Sequence, residues 1–190
     1  MEIKENENEK EIKNPQIRCL ISEEAIEKRI KEMAQEIEVE FEGKEIAVIC
    51  LLKGAAIFMS HLIKYINSDM TIDFFDVSSY YDSTESSALG SGKIKVNRYP
   101  EGSVCGKNVL VIEDIIDTGH TLSFVHEYLK SQNPAKIKLA MLLDKPGRRI
   151  VKDICPDFVG FVIPDEFVIG YGLDFAQKYR NLPYIGVLDM

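Results

Sequence analysis

The stretch Val109–Thr121, VLVIEDIIDTGHT, decides the fold. Its first four residues form a continuous apolar run, which predicts a strand that is covered on both faces. The adjacent acids Glu113 and Asp114 end this predicted strand, and a helix is predicted near residues 121–131. A buried strand that leads directly into a helix is typical of a parallel α/β sheet.

The same alternation of buried strands and helices continues on both sides of this stretch. A first helix is predicted after Ser22, a residue suited to cap it, and apolar residues follow at helical spacing. This apolar stripe consists of Ile26, Ile30, Met33 and Ile37. The further predicted elements are strands at 46–52, 70–77, 137–143, 158–163 and 184–188 and a helix at 55–66. We therefore expect an α/β fold with a mainly parallel central sheet flanked by helices.

Two segments do not fit this alternation. Residues 1–14 carry almost nothing to bury, so we expect a disordered tail ahead of a single domain at 15–190. Residues 78–92, SSYYDSTESSALGSG, are rich in Ser and Gly. A loop of this length in a compact domain is usually functional or disordered, and the alternative interpretation is the floppy tip of a hairpin.

The overall charge and hydropathy limit the class of partner. The formal net charge is −8. A protein that binds nucleic acid irrespective of sequence needs a basic surface, so this charge argues against such binding. Small anionic substrates remain compatible with this charge, because a local site can be positive on an acidic protein. The N-terminus lacks the apolar region of a secretory signal, and no apolar stretch approaches the length of a membrane span. We expect a cytoplasmic protein with no membrane partner.

The turn after the predicted strand has the features of a monophosphate cradle. Ligands of parallel α/β sheets bind outside the carboxyl ends of the strands, and a helix N-terminus there offers N–H groups to an anion. Thr118 and Thr121 add hydroxyl donors, and Gly119 lets the backbone approach closely. His120 lies inside this turn and is a further candidate for contact with the anion.

The acids beside this cradle need a separate explanation, because a carboxylate repels a phosphate. Glu113 and Asp114 are suited to accept bonds from vicinal ribose hydroxyls or to hold a divalent cation. The alternative is that both are solvated residues at a strand end and that Asp117 caps the following helix. Competing phosphate motifs are absent, since the sequence has neither the P-loop pattern nor the dinucleotide glycine pattern.

VLVIEDIIDTGHT resembles the ribose-phosphate-binding signature of the type I phosphoribosyltransferases. Three more segments are similar to the hypoxanthine-guanine branch of that family, in order and with similar spacing. They are LLKG at 51–54, LLDKPGRR at 142–149 and DFVGFVIPDEFVIGYGLDFAQKYRNLP at 157–183. The resemblance covers about residues 40–190 and implies the type I phosphoribosyltransferase fold, with a small hood region and a flexible active-site loop.

The resemblance implies a role for each residue of the cradle. Glu113 and Asp114 would hold the ribose hydroxyls, and Asp117 would be the general base near purine N7. The 5′-phosphate would be bound by the loop residues Thr118, Gly119, His120 and Thr121.

The remaining segments would hold the pyrophosphate and the purine. The pyrophosphate would contact Lys53, which follows a cis peptide in this family, together with Gly54 and Arg180. The purine would be bound by Lys145 at its 6-oxygen, by Phe167 through stacking, by the Val168 backbone at its edge, and by Asp174, which would also hold Mg²⁺. Ser79 and Tyr80 would belong to the loop that closes over the site.

These roles have alternatives at the level of the sequence. Lys145 and Arg180 are compatible with surface charges, Phe167 and Val168 with core positions, and Asp174 with a helix N-cap ahead of residues 175–179. The reaction implied by the resemblance joins phosphoribosyl pyrophosphate to hypoxanthine or guanine in purine salvage, in a homodimer or homotetramer. A related regulator that binds nucleotide or RNA, and a transferase for xanthine or a pyrimidine, stay open.

Overall fold

The computed structural model describes residues 16–80 and 93–188. The predicted disordered tail and most of the predicted loop lie outside these residues. The strands are β1 (Ile17–Ile21), β2 (Ile46–Leu52), β3 (Met70–Tyr80), β4 (Lys93–Arg98), β5 (Asn108–Ile116), β6 (Lys136–Asp144), β7 (Phe158–Val162), β8 (Val168–Ile169) and β9 (Ile185–Leu188). The α-helices are α1 (Glu23–Phe41), α2 (Ala55–Leu62) and α3 (His120–Lys130), and short 3₁₀ helices lie at Ile63–Tyr65 and Pro146–Arg148.

The described strands form two sheets. The larger sheet has the order β4-β3-β2-β5-β6-β7, in which every neighbouring pair is parallel except β3 with β4. The smaller sheet has the antiparallel order β1-β9-β8 and joins the two ends of the described chain. The large parallel sheet confirms the predicted fold class, and the smaller sheet corresponds to the hood region.

Alternate side chains of the central strands enter two separate cores. Val48 and Leu110 pack on one face of the large sheet with the apolar stripes of α1 and α2. Ile49 and Val111 pack on the other face with α3. Because both faces are covered, the strands read as continuous apolar runs in the sequence. Within residues 16–80 and 93–188, no helix is both long and apolar enough to cross a membrane.

The N-terminal helix forms as the sequence predicts. The Ser22 side chain accepts a hydrogen bond from the backbone N–H of Ala25, and Glu23 and Glu24 lie in the first turn. The predicted stripe from Ile26 to Ile37 is fully buried. Capping and burial therefore fix this helix together.

Several element boundaries differ from the prediction. Strand β5 continues to Ile116, so Glu113 and Asp114 lie within the strand rather than at its end. Strand β3 continues to Tyr80, so Ser79 and Tyr80 belong to its last residues, and only residues 81–92 separate it from β4. Residues 175–179 do not form the helix that the N-cap alternative for Asp174 requires.

Candidate active site

The first part of the site is a cavity of about 260 Å³ where β5 leads into α3. The residues predicted from the sequence for the site that line this cavity are Glu113, Asp117, Thr118, Gly119 and Thr121. Gly119 caps α3 with φ +87°, a conformation that favours glycine. The N–H groups of the first helical turn lack partners within the helix, so this end of the cavity is suited to bind an anion.

The segment after β6 holds residues 117–121, named the phosphate turn for their predicted ligand, in place. The carbonyl of Thr118 accepts the N–H groups of Ile150 and Val151, each at 3.0 Å. Arg149 donates from Nε to the carbonyl of Asp117 at 3.2 Å and forms an ion pair with Asp144. The turn is therefore hydrogen-bonded to neighbouring backbone and side chains without a ligand. This preorganisation lowers the conformational entropy that is lost when a ligand binds.

The two adjacent acids lie on opposite sides of β5, because side chains alternate along a strand. Glu113 lines the cavity at the start of α3, named the phosphate cavity for its predicted ligand, whereas Asp114 lines a second cavity, named the purine cavity for the same reason. Burial, and then the neighbouring Asp114, raises the pKa of Glu113 well above its ordinary value. Burial also raises the pKa of Asp114 to about 6, against the lowering effects of backbone N–H groups and Arg180.

The second cavity, of about 600 Å³, contains the residues predicted to bind the purine. The residues predicted from the sequence for the site that line this cavity are Asp114, Asp117, Lys145, Phe167, Val168 and Asp174. The Lys145 side chain is buried, and its Nζ donates to the carbonyl of Glu166 at 2.6 Å. Phe167 is 43% exposed, and the ring of Phe175 lies nearly perpendicular to it, with the two ring centroids 5.6 Å apart. A buried ammonium and an accessible aromatic ring therefore lie on one cavity wall.

The phosphate cavity and the purine cavity share a wall. Ile115, Asp117 and Arg148 line both of them. Arg148 Nε donates to Asp117 Oδ1 at 2.6 Å, and its Nη1 lies 3.3 Å from Asp165 Oδ1. A ligand that fills both cavities would have its junction beside the Asp117 carboxylate.

The predicted pyrophosphate residues lie next to Asp114. The Leu52–Lys53 peptide is cis, as the resemblance implies. A Cβ atom on Gly54 would lie 1.6 Å from Asp114 Oδ2, and one on Gly172 would lie 2.1 Å from the Gly54 carbonyl oxygen. Only glycine at positions 54 and 172 allows the segments that contain Gly54, Asp114 and Gly172 to pack this closely. Because Lys53 and Gly54 directly precede α2, they lie at the positive end of that helix.

Arg180 is held beside the same segments. Its Nη1 donates to the carbonyl of Gly172 at 2.6 Å, and its Nη2 lies 2.6 Å from Asp174 Oδ1. The other Asp174 oxygen accepts the N–H of Gln177 at 2.8 Å. The described residues contain no cluster of three metal-ligating side chains. A single carboxylate suits Mg²⁺ when substrate phosphates and water supply the other ligands.

Three predicted site residues are not placed by this geometry. His120 begins α3, but its Nε2 is buried without a hydrogen-bond partner and it does not line either cavity described above. The side chains of Ser79 and Tyr80 lie outside the described part of the chain. Their predicted contacts with ligands stay predictions.

The structure also adds residues that the sequence reasoning missed. Arg148 and Asp165 line the purine cavity, Arg149 supports the phosphate turn, and Phe175 supports Phe167. The motif LLDKPGRR contains both arginines, but it does not reveal which carbonyl or carboxylate each one reaches. Those partners become visible only in the folded chain.

A family model and several known proteins match most of this chain. The model of the phosphoribosyl transferase domain family matches residues 20–176. The chain is 50% identical over 171 residues to the hypoxanthine-guanine phosphoribosyltransferase of Bacillus subtilis, covering 90% of this chain and 92% of that protein. It is 48% identical over 171 residues to the bifunctional protein TilS/HprT of Listeria monocytogenes, covering 90% of this chain. The chain spans about a quarter of that relative, 26% of its length.

A solved structure shows the same similarity in three dimensions. A crystal structure of a hypoxanthine-guanine phosphoribosyltransferase from Bacillus anthracis superposes with a TM-score of 0.85 at 47% identity. The match covers 92% of this chain and 100% of that one. Family model, sequence identity and fold agree, and the chain belongs to the hypoxanthine-guanine branch of the phosphoribosyltransferase family.

Proposed function

We propose that this protein is a purine-salvage enzyme. It transfers the 5-phosphoribosyl group from phosphoribosyl pyrophosphate to N9 of hypoxanthine or guanine, releasing pyrophosphate and giving IMP or GMP. The observation that carries the proposal is the shared wall, where Asp117 separates a phosphate cavity from a cavity with a buried lysine and an accessible phenylalanine. The names of the relatives support the same reaction.

Lys145 is the residue that selects a 6-oxopurine. An ammonium has three N–H donors and no acceptor, and the bond to the Glu166 carbonyl uses one of the three. The others are available to a purine 6-oxygen, whereas the 6-amino group of adenine offers no acceptor at that position. Phe167 stacks on the base, and the ring of Phe175 packs nearly perpendicular to it. The backbone of Val168 binds the edge of the base.

Asp117 is the general base of the transfer. As the bond from N9 to C1′ of the ribose forms, the bond from C1′ to the pyrophosphate oxygen breaks, and the purine proton passes to the Asp117 carboxylate. Glu113 and Asp114 accept bonds from the ribose hydroxyls. The phosphate turn holds the 5′-phosphate through Thr118, Gly119 and Thr121 and through the backbone N–H groups at the start of α3, so both reactants are oriented on either side of Asp117.

The leaving pyrophosphate is held on the other side of Asp114. Lys53, Gly54 and Arg180 place two cationic side chains and a helix N-terminus around its negative charge. Asp174 would hold Mg²⁺ together with the pyrophosphate oxygens, which fits its single carboxylate. When bound, the cation neutralises charge that develops on the leaving group.

The sugar gains cationic character during transfer and is then open to attack by water. We propose that the predicted loop at 78–92, to which Ser79 and Tyr80 at the end of β3 belong, closes over the site and excludes water. A cytoplasmic location, a homodimer or homotetramer, and the absence of nucleic-acid binding complete the proposal. Light scattering tests the assembly state. Filter binding with RNA tests the alternative that the protein is a regulator that binds nucleotide or RNA.

A substrate panel tests the reaction itself. The protein is incubated with phosphoribosyl pyrophosphate, Mg²⁺ and one of hypoxanthine, guanine, xanthine, adenine or uracil, and the nucleotide product is separated and quantified. We expect IMP and GMP to form and AMP and UMP to stay at background. Nucleotide formation with adenine but not with a 6-oxopurine would contradict the role of Lys145, and no product with any base would contradict the proposed activity.

A further inference from the structure

Tyr171 and His61 meet in a part of the molecule to which the proposed reaction assigns no role. The Tyr171 hydroxyl lies 2.6 Å from His61 Nδ1, and the two rings cross edge to face. Tyr171 is 4% exposed, and His61 lies in the last turn of α2. They line a cavity of about 200 Å³ whose lining shares no residue with the phosphate or purine cavity.

The backbone at Tyr171 is strained. Its φ is +50°, and its neighbours Gly170 and Gly172 have φ values of +93° and +102°. Glycine adopts such angles readily, but a tyrosine pays of order 1–3 kcal/mol for them. A conformation of this kind persists only where the surroundings hold it. The contact with His61 is one such hold, and the bond from the Tyr171 N–H to the Leu182 carbonyl, 2.8 Å long, is another.

The strained segment leads directly to the pyrophosphate side of the site. The Gly172 carbonyl accepts Arg180 Nη1 at 2.6 Å, and its N–H donates to the Arg180 carbonyl at 3.0 Å. Gly172 also packs against the Gly54 carbonyl so closely that no Cβ fits. Tyr171 is therefore the chain neighbour of a residue that bonds to Arg180 and packs on Gly54, and Arg180 in turn forms an ion pair with Asp174.

We propose that His61 and Tyr171 are a positioning pair for the pyrophosphate half of the site. Helix α2 starts at the Lys53–Gly54 turn and carries His61 near its other end. The bond to Tyr171 ties the 170–172 segment to that same helix. The Lys53–Gly54 turn and Arg180 approach the leaving group from two separate parts of the chain. The bond thereby fixes the distance and orientation between them. The inference rests on the proposed function, since it assigns the pair to the binding of pyrophosphate and its donor.

Four variants test the pair. Tyr171→Phe removes the hydroxyl and keeps the ring, and His61→Leu removes the partner nitrogen. His61→Asn keeps a hydrogen-bonding atom close to the position of Nδ1. Tyr65→Phe is the matched control, because the Tyr65 hydroxyl lies in the same cavity but bonds to Glu27 at 3.3 Å rather than to the strained segment.

We expect Tyr171→Phe and His61→Leu to raise the KM for phosphoribosyl pyrophosphate by about three- to tenfold, the range that corresponds to one lost hydrogen bond. The KM for guanine is expected to stay within about twofold, because the bond contributes only to the pyrophosphate side. The double variant should be no worse than either single one, which is the signature of a shared interaction. His61→Asn should recover most of the donor affinity, and Tyr65→Phe should behave as the unaltered protein.

The proposal is overturned if Tyr171→Phe lowers the melting temperature while the KM for the donor is unchanged, or if both substrates lose affinity equally. If Tyr171→Phe does not fold, the two His61 variants give the same comparison. Calorimetric titration with inorganic pyrophosphate and Mg²⁺ measures the effect without turnover. A protein that binds pyrophosphate but transfers no phosphoribosyl group would contradict the proposed function, while the variants would still decide the role of the pair.

Discussion

Arg148 Nε lies 2.6 Å from Asp117 Oδ1, in the wall shared by the phosphate and purine cavities. The guanidinium also reaches Asp165, so it links the phosphate turn to the segment ahead of Phe167. The proposed general base is therefore held by a charge-assisted bond from Arg148, which also contacts Asp165 in the wall of the purine cavity. The orientation of Asp117 depends on a residue that comes from a different turn of the chain.

Replacing Arg148 with Gln should lower kcat/KM for the purine by about 3- to 30-fold. The reason is the loss of a charge-assisted hydrogen bond to Asp117, reduced in value because the Arg148 side chain is 46% exposed. Steady-state kinetics with guanine as the varied substrate provide the measurement. Asp165→Asn is the control, since it alters the weaker contact and leaves the Arg148–Asp117 bond in place. Equal losses in the two variants would contradict a specific role in holding Asp117.

Asp117→Asn should lower kcat by about 10²- to 10⁴-fold, which is the usual cost of removing a general base. The affinity for phosphoribosyl pyrophosphate should change little, because the amide preserves the shape of the side chain and the phosphate is bound by the rest of the turn. Single-turnover kinetics give the rate of transfer, and calorimetry gives the donor affinity. Turnover close to that of the unaltered protein would reject the assignment of Asp117.

Lys145→Gln should weaken the use of guanine more than the binding of the donor. A neutral amide makes a weaker bond to the purine 6-oxygen than an ammonium does, so we expect a loss of about 10-fold or more in kcat/KM for guanine. The test compares this value with the dissociation constant of phosphoribosyl pyrophosphate. Lys136→Gln is a suitable control, because Lys136 pairs with Glu40 and lines neither cavity. A parallel loss of donor affinity would mean that Lys145 does not read the base.

The parallel core was predictable because its strands are buried on both faces. The run from Ile46 to Leu52 matches β2 at both ends. For β5 the prediction ended too early, because two adjacent acids normally mark the exposed end of a strand. Here the ladder with β6 continues, with Glu113 opposite Met141 and Ile116 opposite Asp144. The acids stay in the strand because the backbone pairing of β5 with β6 continues past them.

The smaller sheet and the short strands had weaker local signals. Ile17 pairs with Leu188, a contact between residues that are far apart in sequence, and β8 has only two residues. By contrast, KIKVNR at β4 does alternate polar and apolar residues, and this two-residue period is a sequence signal for a strand. The ion pair of Arg148 with Asp117 spans 31 positions and leaves no spacing pattern in the sequence.

Asp114→Asn should stabilise the fold at neutral pH and have no such effect at low pH. Burial raises the pKa of Asp114 to about 6 in the folded protein, above its ordinary value near 4 in an unfolded chain. Ionising this group therefore opposes folding, and the penalty is complete above about pH 6 and disappears below about pH 4. Asparagine carries no charge and keeps the oxygen that accepts the N–H of Ile115.

We expect the free energy of unfolding of Asp114→Asn to exceed that of the unaltered protein by about 1–3 kcal/mol at pH 7.5, and the difference to vanish near pH 4. Urea unfolding at several pH values between these limits gives the measurement. Asp73→Asn is a control of opposite sign. Although burial alone would raise the pKa of Asp73, the N–H groups of Gly102, Phe74 and Glu101 lower it below its ordinary value. Ionised Asp73 therefore favours folding, and its replacement should destabilise the protein from pH 7.5 down to about pH 4. A gain from Asp114→Asn that is the same at every pH would show that relief of a buried charge is not its cause.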